Sequence, residues 1–190
     1  MTILIKLLLY AKSMNIDQFV ERSLGTWRSQ RSAHHLAFHH FEEVTSEIEI
    51  VSLDNGDERV IDLCKKNKVD PHLATSPFFM QWSGQSDWDE DEVLAGSTVL
   101  VPIPDLENPT KGKLLREQGY AETVPAIGYY HLVEDGSFVL TTKYERASAE
   151  EKIWFATPNL RLRVSLIKTG DGKGVTTASF SSEIRALNLD

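Results

Sequence analysis

The stretch NLRLRVS contains two arginines, Arg161 and Arg163, that alternate with apolar residues and could bind an anion. Strict alternation is typical of a β-strand with one buried face, so both arginines and Ser165 share a face. On a strand the two guanidiniums lie about 6–7 Å apart, and each is a charged planar fork that binds a carboxylate through two bonds. Arginines of a half-buried strand usually face water. Inside a ligand-holding barrel they would face the cavity instead, and alternation alone leaves the choice open.

Four histidines lie close together in HHLAFHH, residues 34–40. On a helix, His35 and His39 would lie one turn apart and could share a metal ion, with Glu42 or Glu43 nearby. On a strand the same pair is about 13 Å apart, too far for one ion. Because no third ligand occurs at a metal-site spacing, we predict no metal site.

The acidic run DWDEDE, residues 87–92, lacks the glycine and the spacing of a calcium loop, so a solvated loop is expected. A tryptophan in such a loop usually covers a cavity mouth or a partner surface. Aromatic walls with a few polar groups are typical of ligand cavities in barrels. The aromatic residues predicted to form such a wall beside the arginines are Trp82, Trp88, Tyr129, Tyr130, Tyr144 and Trp154.

Motifs for covalent catalysis and nucleotide binding are absent: there is no G-x-S-x-G and no glycine-rich loop that opens a helix. Cys64, the only cysteine, shares a helical face with Val60 and Leu63, which predicts a packed core thiol and not a nucleophile. A single cysteine excludes a disulfide framework and fits a reducing compartment.

The composition is that of a soluble globular protein with enough apolar residues, 41%, to bury a full core. The net charge of −8 argues against a nucleic-acid binder, which would carry a basic surface. Residues 1–13 are apolar but contain Lys6 and are too short to span a membrane. We interpret them as a leader or extended start outside the fold, with residues 14–190 forming one domain.

The elements that must position these residues are mostly short strands. An amphipathic helix is predicted over Asn15–Ser23, ended by Gly25, and a second short helix after Asp57 as its cap. Turn signals at Asp135-Gly136 and at residues 170–172 are typical of hairpins. Roughly nine or ten strands at 8–12-residue spacing predict an all-β protein. A closed antiparallel up-and-down barrel is favoured because closure removes exposed edges, and a sandwich is the alternative.

Several stretches, in this order and spacing, together resemble the S-type phycobiliprotein chromophore lyases (the CpcS/CpeS type): GTWRSQRSAHH, the two tryptophans Trp82 and Trp88, GSTVLVPIPD, GKLLREQGYAE, EEKIWFATPNLRLRVS and FSSEIR. The likeness covers about residues 15–187. It implies a ten-stranded barrel similar to lipocalins and fatty-acid-binding proteins. It also implies a lyase that attaches a linear tetrapyrrole (a bilin), mainly phycocyanobilin, to a cysteine of a phycobiliprotein subunit.

The resemblance further implies how the attachment proceeds. The bilin carries two propionates and a reactive ethylidene, and the cysteine of the acceptor adds to the ethylidene to give a thioether. The barrel holds the bilin non-covalently in one conformation, which is catalysis by orientation. Phycocyanobilin is therefore a transferred ligand, and no permanently bound cofactor is expected.

The resemblance also assigns site residues. Arg161 and Arg163 match the positions that hold the two carboxylates of the ligand, and Ser165 on the same face assists them. Arg31, or failing that Arg28, matches another arginine of the family near the bilin. The residues that cover the mouth of the pocket are Trp82 and Trp88. Glu151 is expected near the pyrrole nitrogens, where a carboxylate would stabilise a protonated, cationic bilin.

The partners implied are the phycobilin and an apo-phycobiliprotein subunit of the phycocyanin or allophycocyanin type, in the cytoplasm of a cyanobacterium or in a plastid stroma. Members of the family work alone, as homodimers or with a U-type partner, and no feature of the sequence decides among these. Neither nucleic acid nor membrane is an expected partner. The alternative is a non-catalytic barrel that carries bilin, haem or a fatty acid with the same residues.

Overall fold

The computed structural model describes residues 14–87, 93–117 and 126–186. Ten antiparallel strands pair in chain order and close into one barrel through the β1–β10 pair, as the sequence predicts. Because the sheet is closed, the fold is a barrel and not the sandwich that the sequence left as an alternative. The strands are β1 Gly25–His35, β2 His40–Ser52, β3 Phe78–Ser86, β4 Val93–Pro104, β5 Lys111–Arg116, β6 Ala126–Leu132, β7 Phe138–Lys143, β8 Ala147–Thr157, β9 Leu160–Thr169 and β10 Val175–Arg185.

Both predicted hairpin turns are confirmed. Gly136, with φ +81°, lies in the β6–β7 turn, where the Asp135 carboxylate accepts a hydrogen bond from the backbone N–H of Ser137. Gly172, with φ +70°, lies in the β9–β10 turn. Glycine adopts these left-handed conformations without steric penalty, and such turns match the twist of antiparallel neighbours.

The first helix, α1 Ile16–Ser23, closes one end of the barrel. Asn15 is its N-cap and exchanges hydrogen bonds with Gln18, so the predicted helix is confirmed with its first residue acting as the cap. Its apolar face, which includes Phe19, packs on side chains from the barrel interior such as Phe138, stacked at 4.4 Å. The opposite end, at the β1–β2 turn of residues 36–39, is called the mouth below.

The second helix, α2 Glu58–Lys66, begins at Asp57 as predicted and covers the outer face of β4 and β5. There Val99, Val101 and Leu115 point out of the barrel and pack against the helix. Cys64 lies in this contact and is fully buried, which confirms a core thiol, and burial raises its pKa. Within the described residues, no helix combines the length and the apolar character that a membrane span needs.

Candidate functional site

The two arginines of β9 point into the barrel. Arg161 is 2% exposed, and Arg163 and Ser165 line an internal cavity. The alternating leucines of this strand face outward and are half-buried. Strand β10 has the same pattern, with Ser181 and Glu183 inside and the exposed Phe180 outside. This half of the barrel therefore has a polar interior and an apolar outer face.

An outer chamber opens toward the mouth and encloses about 800 Å³ of space, part of it open to solvent. Its wall brings together five of the predicted site residues: Arg31, Trp82, Glu151, Arg163 and Ser165. The other lining residues are Ser29, Val44, Ser46, Ile48, Met80, Leu94, Arg116, Ser179, Ser181 and Glu183.

A chain of ion pairs crosses the wall of this chamber. The Glu183 carboxylate pairs with Nε of Arg161 through one oxygen and, at 3.3 Å, with Nε of Arg163 through the other. Arg163 then reaches Glu151, with 3.3 Å between Nη1 and Oε1. The guanidinium of Arg163 is thus held between two carboxylates, which fixes its position beside the cavity.

Burial and charge act in opposite directions on these groups. Burial raises the pKa of Glu183, but the positive charges of Arg163 and Arg161 outweigh burial and hold the pKa below its ordinary value. Burial lowers the pKa of Arg161, and Glu183 opposes that effect. An arginine keeps its proton under such conditions, so the buried pair is ionic.

Arg161 lies deeper than Arg163 and lines an inner chamber of about 580 Å³ instead of the outer one. Its guanidinium lies 4.7 Å from the centre of the Trp27 ring. The inner chamber is mostly apolar and borders α1. Four side chains line both chambers and so separate them: Met80, Arg116, Glu151 and Arg163. Arg161 therefore lines only the inner chamber, whereas Arg163 lines both chambers.

Two buried polar atoms on the walls of the chambers lack a hydrogen-bond partner among the described residues: Nη2 of Arg161 and Oγ of Ser165. Buried polar groups are nearly always paired, and an orphaned one requires an explanation. Because each of these side chains lines a chamber, a polar group of a ligand would supply the missing partner.

Arg31 belongs to a cluster at the mouth. Its Nη2 lies 3.4 Å from Glu42, whose carboxylate also contacts Nε2 of His35 at 3.1 Å and Oγ of Ser86 at 2.9 Å. Burial raises the pKa of Glu42, but hydrogen bonds to His35 and Ser86 and the charge of Arg31 outweigh it and lower the pKa. Arg28, the sequence alternative to Arg31, points outward and is exposed.

Trp82 enters the outer chamber because Gly96 lies opposite it on β4. A Cβ at Gly96 would lie 2.5 Å from the indole ring, far closer than van der Waals contact. Trp88, the other predicted tryptophan, lies outside the described residues.

The predicted aromatic wall is wrong for three members. Tyr130 packs in the apolar core at the closed end with Phe138, while Tyr129 is on the outer surface. Trp154 alternates with the inward Ile153 and so lies outside the barrel, beneath Lys152. Tyr144 lies in the β7–β8 turn. The residue types suggested an aromatic wall, but side chains alternate between the two faces of a strand, and this alternation places most of these rings away from the chamber.

The histidine stretch forms no helix that would place His35 and His39 one turn apart. His35 ends β1, residues 36–38 form a 3₁₀ turn, and His39 is left-handed at φ +51°. Across the described ranges, no group of three or more His, Cys, Asp or Glu side chains is arranged to hold a metal ion.

Glu183 and Arg116 are site residues that the sequence reasoning missed, and it considered Glu42 only as a possible metal ligand beside the histidines. A signal for Glu183 existed, because Arg161 and Glu183 both lie eleven residues from Gly172 in the predicted β9–β10 turn. Residues equidistant from a hairpin turn lie opposite each other, and the structure pairs these two directly. Opposite charges in such a pair indicate a cross-strand ion pair.

A closed ten-stranded antiparallel barrel with a charged internal cavity defines a lipocalin-like barrel protein. More particularly, the chain belongs to the CpeS family, since the family model described as "CpeS-like protein" matches residues 15–186.

Two relatives and one solved structure illustrate this membership. The chain is 64% identical over 173 residues to "Chromophore lyase CpcS/CpeS 3" of Trichodesmium erythraeum (strain IMS101), covering 91% of this chain and 100% of that protein. It is 59% identical over 157 residues to "Putative phycoerythrobilin lyase CpeS" of Microchaete diplosiphon, covering 82% and 70%. The solved S-type phycobiliprotein lyase CPES from Guillardia theta matches with a TM-score of 0.82 and 50% identity, over 92% of this chain and 94% of that one.

Proposed function

We propose that this protein is a chromophore lyase that binds a linear tetrapyrrole in the outer chamber and attaches it through a thioether to a cysteine of a phycobiliprotein subunit. One observation carries the proposal: a single internal chamber brings together Arg31, Trp82, Glu151, Arg163 and Ser165. The similarity to proteins named as chromophore lyases supports the reaction type.

The chamber suits a flat, conjugated ligand with two carboxylates. The described chamber wall offers three guanidiniums, those of Arg31, Arg116 and Arg163, together with the hydroxyl of Ser165. Arg31 and Arg163 are each already held by a carboxylate, so neither of these side chains must become ordered when a propionate binds. Trp82 offers an aromatic surface to the ring system.

The barrel would contribute to the reaction mainly by orienting the ligand. A thiol that reaches the mouth meets a ligand held in one conformation, so one face of its ethylidene is presented. Glu151 borders both chambers and places a carboxylate beside the ligand, where it would stabilise a protonated tetrapyrrole and make the ethylidene a better electrophile.

The first experiment mixes the purified protein with phycocyanobilin and, separately, with phycoerythrobilin, because a relative at 59% identity is named for the latter. We expect a sharpened, red-shifted absorption band, and covalent, fluorescent product after an apo-phycobiliprotein subunit is added. A band that forms without transfer, even with a U-type subunit added, identifies a carrier. Absence of any band contradicts the proposal.

Arginine variants test the chamber itself. Arg163→Ala and Arg31→Ala each remove a charge-assisted hydrogen bond, worth about 1.5–3 kcal/mol, and should weaken bilin binding roughly 10–150-fold. Arg28→Ala is the matched control, since it removes the same charge from the outer face of β1. Equal affinities for all three variants would place the bilin outside this chamber.

A further inference from the structure

The cluster at the mouth contains a histidine oriented by a carboxylate. His35 is the last residue of β1, and its Nε2 lies 3.1 Å from Oε2 of Glu42 on β2. The His35 side chain is 28% exposed, whereas the Glu42 side chain is 11% exposed and is fixed by Ser86 from β3. A buried carboxylate that orients a partly exposed imidazole is an arrangement that enzymes use for proton transfer.

A group that accepts the thiol proton would speed thioether formation at neutral pH. The thiolate is the nucleophile, and a free cysteine, with a pKa of about 8.5, is mostly protonated at neutral pH. The thiol of an acceptor protein must enter through the mouth, because α1 closes the other end of the barrel. His35 lies at the end of the strand whose Arg31 lines the outer chamber.

We propose that His35, oriented by Glu42, accepts the proton of the acceptor cysteine as that thiol adds to the bound bilin. This inference rests on the proposed lyase function. The sulfur electron pair forms the S–C bond to the ethylidene carbon as the proton passes to the imidazole. The π pair of the double bond takes up a proton at the neighbouring ring carbon, from the imidazolium or from water, so thiol and alkene give a thioether without oxidant or reductant.

Other titratable groups of the described chain are less suitable. Glu151 and Glu183 lie inside the barrel and are paired with arginines. Cys64 is buried beneath α2 on the outside. The groups that face His35 are Glu42 and His40 on β2, with the His40 ring centre at 6.1 Å, while β10 presents Thr177 opposite it.

The test measures single-turnover transfer to an apo-phycobiliprotein subunit by the full chain preloaded with bilin. His35→Gln should bind bilin with the wild-type absorption band, yet transfer it roughly 10²–10⁴-fold more slowly at pH 7. The deficit should shrink about tenfold per pH unit toward pH 8.5, since the thiolate then forms unaided. Glu42→Gln should also lower the rate of bilin transfer at pH 7.

His39→Asn is the matched control, because His39 is exposed at the same turn and asparagine tolerates its left-handed backbone. His35→Ala should regain transfer when free imidazole is added, a response that a folding defect would not give. The proposal is overturned if His35→Gln transfers at the wild-type rate, if its deficit is independent of pH, or if imidazole restores nothing. A wild-type protein that binds bilin without transfer would overturn the lyase function as well.

Discussion

Glu183 is the residue whose loss should disturb the barrel most. Its carboxylate is 1% exposed and pairs with both Arg161 and Arg163. Glu183→Gln keeps the volume of the side chain but removes its charge. Arg163 retains Glu151 as a partner after this change, whereas Arg161 loses the only carboxylate with which the described residues pair it.

The expected loss of stability follows because the variant leaves Arg161 without this carboxylate. Removing one partner of a buried ion pair typically costs about 3–5 kcal/mol, because an uncompensated charge remains in the interior. A domain of this length loses about 2–4 °C of Tm per kcal/mol, so the expected decrease in Tm is roughly 6–20 °C. The ion pair stabilises the fold only when both partners are present. Replacing both partners by apolar residues would therefore lower the free energy of unfolding far less than replacing one.

Chemical denaturation at neutral pH, followed by far-UV circular dichroism, measures the free energy of unfolding of wild type and variant. Glu150→Gln is the control, since Glu150 is 45% exposed on the outer face of β8 and pairs with Lys168 at 2.9 Å. An exposed pair of this kind is worth less than about 1 kcal/mol. If Glu183→Gln loses no more stability than Glu150→Gln, the ion-pair network does not stabilise the fold as argued.

The same pair predicts a dependence on pH. The pKa of Glu183 is lower in the folded protein than in the unfolded chain. At a pH between these two pKa values the unfolded chain therefore binds more protons, so the free energy of unfolding rises with pH. The contribution is complete above the unfolded pKa of about 4.3 and is lost as the pH falls through the folded value. The stability difference between wild type and Glu183→Gln should therefore narrow below about pH 4, and a difference that stays constant into acid would contradict the assignment.

Three further substitutions have definite expectations. Gly96→Ala should displace the Trp82 indole, changing tryptophan fluorescence and weakening bilin binding, whereas Ala95→Ser on the outer face of β4 should change neither. Cys64→Ser buries a hydroxyl among apolar groups and should cost about 1–3 kcal/mol in unfolding free energy while leaving bilin transfer intact, and loss of transfer would assign the thiol a chemical role. Tyr130→Phe removes a buried hydroxyl that lacks a partner among the described residues, so unfolding free energy should stay the same or rise, and a clear decrease would reveal a hidden hydrogen bond.

The elements of this fold could be predicted because their signals are local. A capping residue, an apolar face at helical spacing or a glycine turn each lies within a few residues, as at Asn15 and Gly172. Cys64 was predicted correctly for the same reason, since its neighbours one turn away already define a buried face.

The direction of Arg161 and Arg163 could not follow from their own strand. A period of two is symmetric, and either parity can be the buried one. The choice depends on Glu183, Glu151 and the serines of β10, which reach the arginines only through strand pairing. The same reasoning explains the aromatic residues, because residue type alone does not show which face of the sheet Tyr129 or Trp154 occupies.

The carboxylates that neutralise the arginines of the cavity have a consequence for release. Glu183 and Glu151 are tethered competitors: they remain at the guanidiniums at high local concentration however dilute the protein is. An acidic ligand gains only the difference in free energy between its own contacts with the arginines and the ion pairs that it displaces. It therefore dissociates from the barrel faster than the number of arginines it contacts would suggest. When the ligand departs, the internal carboxylates close over the vacated guanidiniums at once. The empty barrel thus regains its internal ion pairs without any outside supply of energy, so each round of the proposed transfer would begin from the same state.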